Sequence, residues 1–340
     1  MNSHRPRFLI INVSRIGDTL LATPAIRAIF QAYPDADITC LGHPNRIAIL
    51  AHLPFISRIG AITKNRALWM GHFGGKRYDW AFVYGFDNAL LKYALRVSDK
   101  VIAFRQSDPE INARLFRAVS PPEPQSTHAA IMSLALPAAI GVPAAGFGLT
   151  YHVTDAEKAW AKKALETLPT DTWPLIGLQL TSFPTKAYRD WPVEHFITLC
   201  DQICEQYPGA HFLIFGGKHK LEKARIYALH HRFPDNSSLF AGLPLRQTAA
   251  LMDRLDLYIG VDTGPSHIMG SLRRPLIVLY HPTLHSGLYG PLEHPCFYPV
   301  DHPHVGLGAT SDMPMSDIDV ATVWSQVTAA LPNQPLSPVP

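Results

Sequence analysis

Residues 257–267 read LYIGVDTGPSH, a short apolar run that passes through a turn directly into a helix. The turn comprises Asp262, Thr263 and Gly264, and Pro265 suits the first turn of the helix that Ser266 and His267 continue. The free N–H groups and the dipole at such a helix start form an anion site that suits a diphosphate. A well-capped helix without a ligand is the alternative interpretation.

Short apolar runs alternate with helical patterns along the rest of the chain, which predicts parallel α/β architecture. The runs lack alternation, so each sheet is expected to be covered on both faces. We predict helices over Leu20–Tyr33, Asp87–Arg96, Asp155–Leu168, Val193–Tyr207, Leu221–Arg232 and Leu245–Arg254. The predicted strands are Phe8–Val13, Ile38–Leu41, Trp80–Tyr84, Val101–Phe104, Leu175–Gln179, His211–Phe215, Leu257–Val261 and Leu276–Tyr280.

The length and charge distribution predict two domains. The chain has 340 residues, and one domain usually holds roughly 100–200. Residues 1–150 carry 16 Lys and Arg against 9 Asp and Glu, a net +7, whereas residues 151–340 carry 14 against 18, a net −4. We predict doubly wound domains over residues 1–150 and 151–331, a linker over 141–148 and a disordered tail over 332–340.

Composition excludes several classes of protein. A total charge of +3 is too weak to indicate a nucleic-acid binder. The uncharged stretch 129–151 contains Pro137 and Pro143 and is too weakly apolar for a membrane span, so we expect a buried helix there. The cysteines do not form a disulfide framework, and Cys200 and Cys204 are read as a buried helix face rather than metal ligands. A cytoplasmic protein is expected.

Two further loops carry residues with chemical potential. After the first strand, Gly17 permits a tight turn and Asp18 follows at the helix start, either as a helix cap or as a carboxylate general base. The loop 181–192, TSFPTKAYRDWP, combines hydroxyl groups with Lys186 and Arg189. These two cations are either surface charges or partners of a diphosphate. The dinucleotide G-x-G-x-x-G and P-loop patterns are absent from the sequence.

These motifs, in this order, resemble glycosyltransferase family 9, the ADP-heptose:lipopolysaccharide heptosyltransferases. The resemblance runs from residue 7 to about 291. The segments that carry it are 11–25 (INVSRIGDTLLATPA), 33–38, 77–79, Trp191-Pro192, Gly216-Gly217, 262–267, Arg274-Pro275 and Pro282-Thr283. The Gly-Asp opening and the Asp-Thr-Gly-Pro-Ser-His block are specific when they occur together.

The resemblance implies a GT-B fold, with two Rossmann-like domains facing each other across a cleft. The first domain would hold the acceptor, the second would hold a nucleotide sugar, and Asp18 would be the catalytic base. The resemblance implies these donor-binding residues: Thr181, Ser182, Arg189 (with Lys186 as a competing candidate), Gly216, Glu222, Leu243, Asp262, Thr263, Gly264, Ser266 and His267. His281 stands where a glycine is usual in the family, which bears on the shape of the donor pocket.

The implied reaction is inverting, metal-independent transfer of heptose from ADP-L-glycero-D-manno-heptose to a hydroxyl of the lipopolysaccharide inner core. No cofactor is expected, and the acceptor would be lipid A–Kdo or a longer inner core at the inner face of the bacterial inner membrane. Another nucleotide-sugar donor, a protein acceptor, or a non-catalytic nucleotide or glycan binder remain as alternatives. The expected acceptor-binding residues are Gly17, Arg58, Lys64, Arg66, Lys76 and Arg77. Five histidines crowd residues 281–304, but their spacing does not favour a metal site.

Overall fold

The computed structural model describes residues 5–306 and 308–331 of the chain. The predicted disordered tail, 332–340, lies outside the described residues. The chain divides into two compact units, Met1–His152 and Val153–Pro340. Within the described residues, none of the helices combines the length and the apolar character that crossing a bilayer requires.

Unit 1 is built on a parallel six-stranded sheet in the order β3-β2-β1-β4-β5-β6. Its first strand is almost completely buried and lies centrally, as its run of apolar residues predicts. The strands are β1 (Arg7–Asn12), β2 (Asp37–Gly42), β3 (Arg58–Ala61), β4 (Tyr78–Tyr84), β5 (Ser98–Phe104) and β6 (Arg117–Val119). The helices are α1 (Ile16–Leu21), α2 (Thr23–Ala32), α3 (Lys64–Trp69), α4 (Asn88–Val97), α5 (Pro109–Arg114) and α6 (Ala129–Ala138), with a 3₁₀ helix over Ile47–Leu50.

Unit 2 repeats the same arrangement with a second parallel sheet in the order β12-β11-β10-β7-β8-β9. Its strands are β7 (Leu175–Gln179), β8 (His211–Gly216), β9 (Ser237–Ala241), β10 (Leu257–Val261), β11 (Leu276–Tyr280) and β12 (Phe297–Asp301). Its helices are α7 (Asp155–Ala164), α8 (Val193–Gln206), α9 (Lys220–Arg232), α10 (Leu245–Met252), α11 (Gly264–Leu272), α12 (Ser286–Tyr289) and α13 (Val320–Ala330). The 3₁₀ helices are Pro184–Arg189 and Met315–Asp317.

Both strand orders are the Rossmann order, because each unit's first strand pairs with its second on one side and its fourth on the other. The expectation of two doubly wound, Rossmann-like α/β units is confirmed. In sheets of this order a ligand binds beyond the carboxyl ends of the first and fourth strands, where the connections diverge.

Two local predictions are wrong. The helix expected over Leu20–Tyr33 is two helices: α1 ends at Leu21, and Pro24, which has no N–H with which to continue α1, lies in the first turn of α2. The segment 141–148, expected to be a linker, is fixed to unit 1: the guanidinium of Arg27 donates hydrogen bonds to the carbonyls of Ala145 and Gly148 at 3.1 and 2.9 Å.

Candidate functional site

The first candidate site is a recess of about 200 Å³ at the carboxyl ends of β1, β4 and β5 in unit 1. Asp18 lines this recess and is solvent-exposed. The remaining lining is mostly apolar and includes Asn12, Ser14, Leu21, Ala22, Tyr84, Gly85, Phe104, Ala129, Met132 and Ser133. The recess therefore combines one carboxylate with a mostly apolar lining.

Hydrogen bonds fix the loop that carries Asp18. The carboxylate Oδ2 accepts a hydrogen bond from the N–H of Arg15 at 3.3 Å, so Asp18 occupies the third position of α1 and not the cap position that precedes the helix. Asn12 Nδ2 donates to the Asp18 carbonyl at 3.4 Å, and Arg46 donates to the Ser14 carbonyl at 2.7 Å. The carboxylate of Asp18 thus both stabilises the start of α1 and faces the recess.

The expected acceptor-binding residues fall into two groups. Lys64 and Arg66 follow β3 at the carboxyl edge of the sheet, on the same edge as Asp18. Arg58 begins β3, and Lys76 and Arg77 precede β4, so these three lie at the opposite, amino edge. Gly17 is buried within α1. The structure therefore does not bring the six residues together around Asp18.

Several of these cations have internal partners. Lys64 Nζ lies 2.9 Å from Asp87 Oδ2, and Arg58 pairs with Asp37. Burial favours a raised pKa for Asp87, but the hydrogen bond from Lys64 and N–H groups at the start of α4 hold that pKa below its usual value. A phosphorylated acceptor would have to compete with Asp87 for Lys64.

The second candidate site surrounds the start of α11 in unit 2, beyond the carboxyl ends of β7 and β10. The side chain of Asp262 is 8% exposed and lies between two cationic or ionisable groups. Its Oδ2 is 3.9 Å from Arg189 Nη1, and its Oδ1 is 3.5 Å from His267 Nε2. The side chain of Arg189 is 14% exposed, and its Nε forms no hydrogen bond within the described residues. Arg189 is therefore a partly enclosed cation that sits beside Asp262 at the helix start, where a further anion would be attracted to it.

The helix start supplies main-chain donors beside Arg189. The first N–H groups of a helix have no partner inside the helix, which applies here to Gly264 and Ser266 but not to Pro265. The hydroxyl groups of this turn are used internally. Ser266 Oγ donates to the Val261 carbonyl at 2.7 Å, and Thr263 Oγ1 donates to the same carbonyl at 3.2 Å. Ser266 thus offers its N–H, and not its hydroxyl, to a ligand.

Asp190 organises the loop that follows β7, and sequence reasoning missed it. Its side chain is 4% exposed; Oδ1 accepts the N–H of Ser182 at 2.6 Å, and Oδ2 pairs with Arg225 of α9. Burial raises the pKa of Asp190, although Ser182 and Arg225 oppose that rise. Thr181 Oγ1 is buried and makes no hydrogen bond among the residues described. The only sequence signal for Asp190 was its place between Arg189 and Trp191.

Lys186 and Arg189 both lie near the ring of Tyr188. Lys186 Nζ is 5.6 Å and the Arg189 guanidinium 5.5 Å from the centre of the Tyr188 ring. The ring of Tyr188 packs edge-on against His281 at 4.9 Å. His281 is buried, and burial lowers its pKa. It accepts the Thr283 N–H at Nδ1, so Nε2 carries the proton that is donated to the Met313 carbonyl. His281 therefore packs against the Tyr188 ring, which both Lys186 and Arg189 contact.

A recess of about 180 Å³ adjoins this loop and is lined by Thr181, Ser182, Pro184, Ala187, Asp190, Leu221, Glu222, Ala224 and Arg225. Glu222 accepts the N–H of His219 at 3.2 Å and so also helps to cap α9. The N–H of Gly242 donates to the Gly216 carbonyl at 2.8 Å, which places Leu243 next to the end of β8. The recess shares Thr181, Ser182 and Asp190 with the loop that carries Arg189.

The histidine-rich stretch has structural contacts. His302 Nε2 donates to the Pro314 carbonyl at 3.1 Å, and His302 Nδ1 accepts the N–H of His304. Over residues 5–306 and 308–331, no three His, Cys, Asp or Glu side chains are grouped so that they could hold a metal ion. Cys200 is buried in α8, and burial raises its pKa.

Comparisons of the sequence and of the structure with known proteins find relatives of one family. The sequence matches the family model of glycosyltransferase family 9 (heptosyltransferase) over residues 85–295. It is 24% identical over 295 residues to the lipopolysaccharide core heptosyltransferase OpsX of Haemophilus influenzae, covering 84% of this chain and 82% of that protein.

Two solved structures share the fold. A glycosyltransferase family 9 protein from Veillonella parvula superposes with a TM-score of 0.82 at 20% identity, over 97% of this chain and 98% of the other. The E. coli ADP-heptose lipopolysaccharide heptosyltransferase II gives a TM-score of 0.79 at 20% identity, over 95% and 98% of the two chains. The chain belongs to glycosyltransferase family 9 and is a glycosyltransferase.

Proposed function

We propose that this member of glycosyltransferase family 9 transfers heptose from ADP-L-glycero-D-manno-heptose to a hydroxyl group of the lipopolysaccharide inner core. Family membership and the activities named for its relatives support this assignment. The protein would act in the cytoplasm, at the inner face of the inner membrane, and it needs no nucleic-acid partner or resident cofactor.

The anion site of unit 2 carries the proposal. The side chain of Arg189 is 14% exposed, its Nε makes no hydrogen bond within the described residues, and it lies beside Asp262 in the turn that starts α11. When the bond between the sugar and ADP breaks, negative charge grows on the diphosphate. A fixed guanidinium and the N–H groups of Gly264 and Ser266 would stabilise that charge without a metal ion.

The recess of unit 1 would supply the base. The acceptor hydroxyl attacks the anomeric carbon on the face opposite ADP, the bond between that carbon and the diphosphate oxygen breaks, and the hydroxyl proton moves to the carboxylate of Asp18. A single displacement of this kind inverts the anomeric centre. The hydrogen bond from the Arg15 N–H keeps Oδ2 of Asp18 in place, so the carboxylate is preorganised for proton transfer.

Nucleotide specificity is the first test. Calorimetry of the purified protein in EDTA should show binding of ADP in preference to UDP, GDP and NAD. Preference for UDP or GDP would instead support a glycosyltransferase with another nucleotide-sugar donor.

Transfer from ADP-heptose to inner-core acceptors of increasing length is the second test. Asp18→Asn keeps the shape of the side chain and should reduce kcat by about 10²- to 10⁴-fold while ADP affinity changes little. Asp35→Asn alters an exposed acid of the same unit and should leave kcat unchanged. An active Asp18→Asn enzyme would refute the assignment of the base, and ADP binding without any transfer would favour a non-catalytic binder.

A further inference from the structure

Unit 1 exposes apolar side chains around the end of α3. The exposed fractions are 51% for Leu68, 81% for Trp69 and 93% for Phe73. Burying such groups is normally favourable, so a soluble protein has little reason to hold two aromatic rings in water unless a partner covers them. Leu68, Trp69 and Phe73, with the cations Lys64, Arg66, Lys76 and Arg77, are here called the α3 surface.

The α3 surface is strongly basic. Residues 38–78 contain no Asp or Glu, whereas all four cations of the surface fall within this stretch, and each is exposed. The acidic residues next along the chain already have partners: Asp79 accepts hydrogen bonds from Arg7, and Asp87 pairs with Lys64. Cations that surround exposed aromatic rings match an anionic lipid interface, where rings lie at the headgroup level.

The backbone beneath these rings is firmly held. The guanidinium of Arg96 donates to the Met70 carbonyl at 3.1 and 2.9 Å, and Lys76 Nζ donates to the carbonyls of Leu95 and Ser98 at 2.6 and 2.5 Å. Gly71 lies so close to α4 that a Cβ atom there would come within 2.6 Å of Val97. The tip at Gly74 has no neighbour within 4 Å of such an atom. Because hydrogen bonds already fix the backbone on both sides of Gly74, little conformational entropy is lost when Trp69 and Phe73 bind a partner.

We infer that the α3 surface binds the surface of an anionic phospholipid bilayer, with Trp69 and Phe73 in the headgroup region and the cations, chiefly Arg66 and Arg77, against lipid phosphates. The surface runs from Lys64, at the carboxyl edge of the sheet where Asp18 lies, to Lys76 at the amino edge. A bilayer contacting it would therefore lie along one side of unit 1 and leave the recess of Asp18 open. This inference extends the membrane location given in the proposed function, but it is tested separately, because bilayer binding is measured without donor or acceptor sugars.

Vesicle flotation tests the inference on the full chain. The protein should float with vesicles of phosphatidylcholine and phosphatidylglycerol (3:1) and should bind pure phosphatidylcholine much more weakly. Trp69→Ser combined with Phe73→Ser should weaken binding at least about tenfold. Arg66→Gln combined with Arg77→Gln should weaken it about 25-fold at low salt, and 0.5 M NaCl should remove most of the difference between parent and variant.

A control variant and a spectroscopic readout separate lipid binding from unfolding. Ile131→Ser combined with Tyr227→Ser removes two other exposed apolar side chains, 43% and 45% exposed, and should bind as the parent does. Trp69→Phe should retain binding but lose most of the fluorescence quenching that brominated lipids cause in the parent.

Three outcomes would overturn the inference: no flotation of the parent, equal loss of binding in the control variant, or quenching that persists in Trp69→Phe. A fourth outcome would indicate that the α3 surface binds a second copy of the chain and not a bilayer. In that case sedimentation would show a dimer that Trp69→Ser with Phe73→Ser dissociates, without any binding to vesicles.

Discussion

Replacement of Arg189 tests the anion site most directly. The family resemblance leaves Arg189 and Lys186 as competing ligands of the donor diphosphate, and the structure distinguishes their environments. The side chain of Arg189 is 14% exposed and its Nη1 lies 3.9 Å from Asp262, whereas Lys186 Nζ lies 5.6 Å from the centre of the Tyr188 ring and pairs with no acid among the residues described. A buried cation interacts with a diphosphate in a lower dielectric than a solvated one.

The expected loss for Arg189→Ala follows from two contributions. A charge-assisted hydrogen bond contributes about 1.5–3 kcal/mol, which corresponds to roughly 10- to 150-fold in Kd. Removal of Arg189 also leaves Asp262, which is 3.5 Å from His267, as a carboxylate facing the diphosphate. We therefore expect ADP affinity to fall at least about 30-fold. Arg189→Lys keeps the charge but loses the planar donor pair, so about 3- to 10-fold is expected.

Calorimetry with two ligands checks this reasoning. Adenosine lacks the diphosphate, so its affinity should be the same for Arg189→Ala and for the parent. Lys186→Ala should weaken ADP binding by no more than about threefold, because its ammonium group lies beside the Tyr188 ring and no described acid holds it at the start of α11. The reasoning is refuted if Lys186→Ala has the larger effect, or if Arg189→Ala weakens adenosine and ADP equally.

Two further predictions concern the packing of unit 2. Burial favours a raised pKa for Glu157, but hydrogen bonds from Arg246 and Thr154 outweigh burial and hold the pKa at about 2, against an ordinary 4.5. The charged carboxylate therefore stabilises the fold above pH 4.5 and loses that contribution as the pH falls towards 2. Glu157→Gln should accordingly lower the free energy of unfolding by about 2–3 kcal/mol at pH 7 and by much less near pH 2, measured by urea denaturation. Asp190→Ala leaves the buried N–H of Ser182 without its acceptor and should lower the free energy of unfolding by about 2–4 kcal/mol. Arg225→Ala, which removes a 40% exposed partner, should lower it less, and equal losses would contradict this explanation.

The sequence predicts the central strands well and the edge strands poorly, for a physical reason. The strands β1, β7 and β10 are covered on both faces, so nearly every residue is apolar and the run is visible in the sequence. The strand β3 reads RIGA and is largely exposed, and β12 contains Pro299, which an edge strand tolerates. The strands β6 and β9 were missed in the same way. Edge strands are defined by pairing with a neighbour, which a local pattern does not record.

The candidate sites show the same division. Asp18 and the turn 262–267 follow apolar strands directly, so their position at a carboxyl edge was predictable. Asp190 and Arg225 belong to different elements, and their pairing depends on how α9 packs beside the loop after β7. The basic residues of unit 1 show that closeness in sequence does not predict closeness in space. Arg58 and Lys64 are six residues apart in sequence, yet β3 carries the chain from one edge of the sheet to the other between them.

The two units have the same topology but place opposite charges at the carboxyl edges of their sheets. In unit 1 the chain passes from β1 into α1 within a few residues, and the short turn presents the carboxylate of Asp18 at the edge. In unit 2 the loop after β7 is longer, and it carries Arg189 to the start of α11. The N-terminal end of a helix is the positive end of its dipole, so the dipole and the guanidinium both contribute positive charge there. Two positive contributions at one point are unfavourable unless a negative charge is near, and Asp262 supplies only one. The site therefore gains stability when it binds a further anion, which is the physical basis for expecting a diphosphate there.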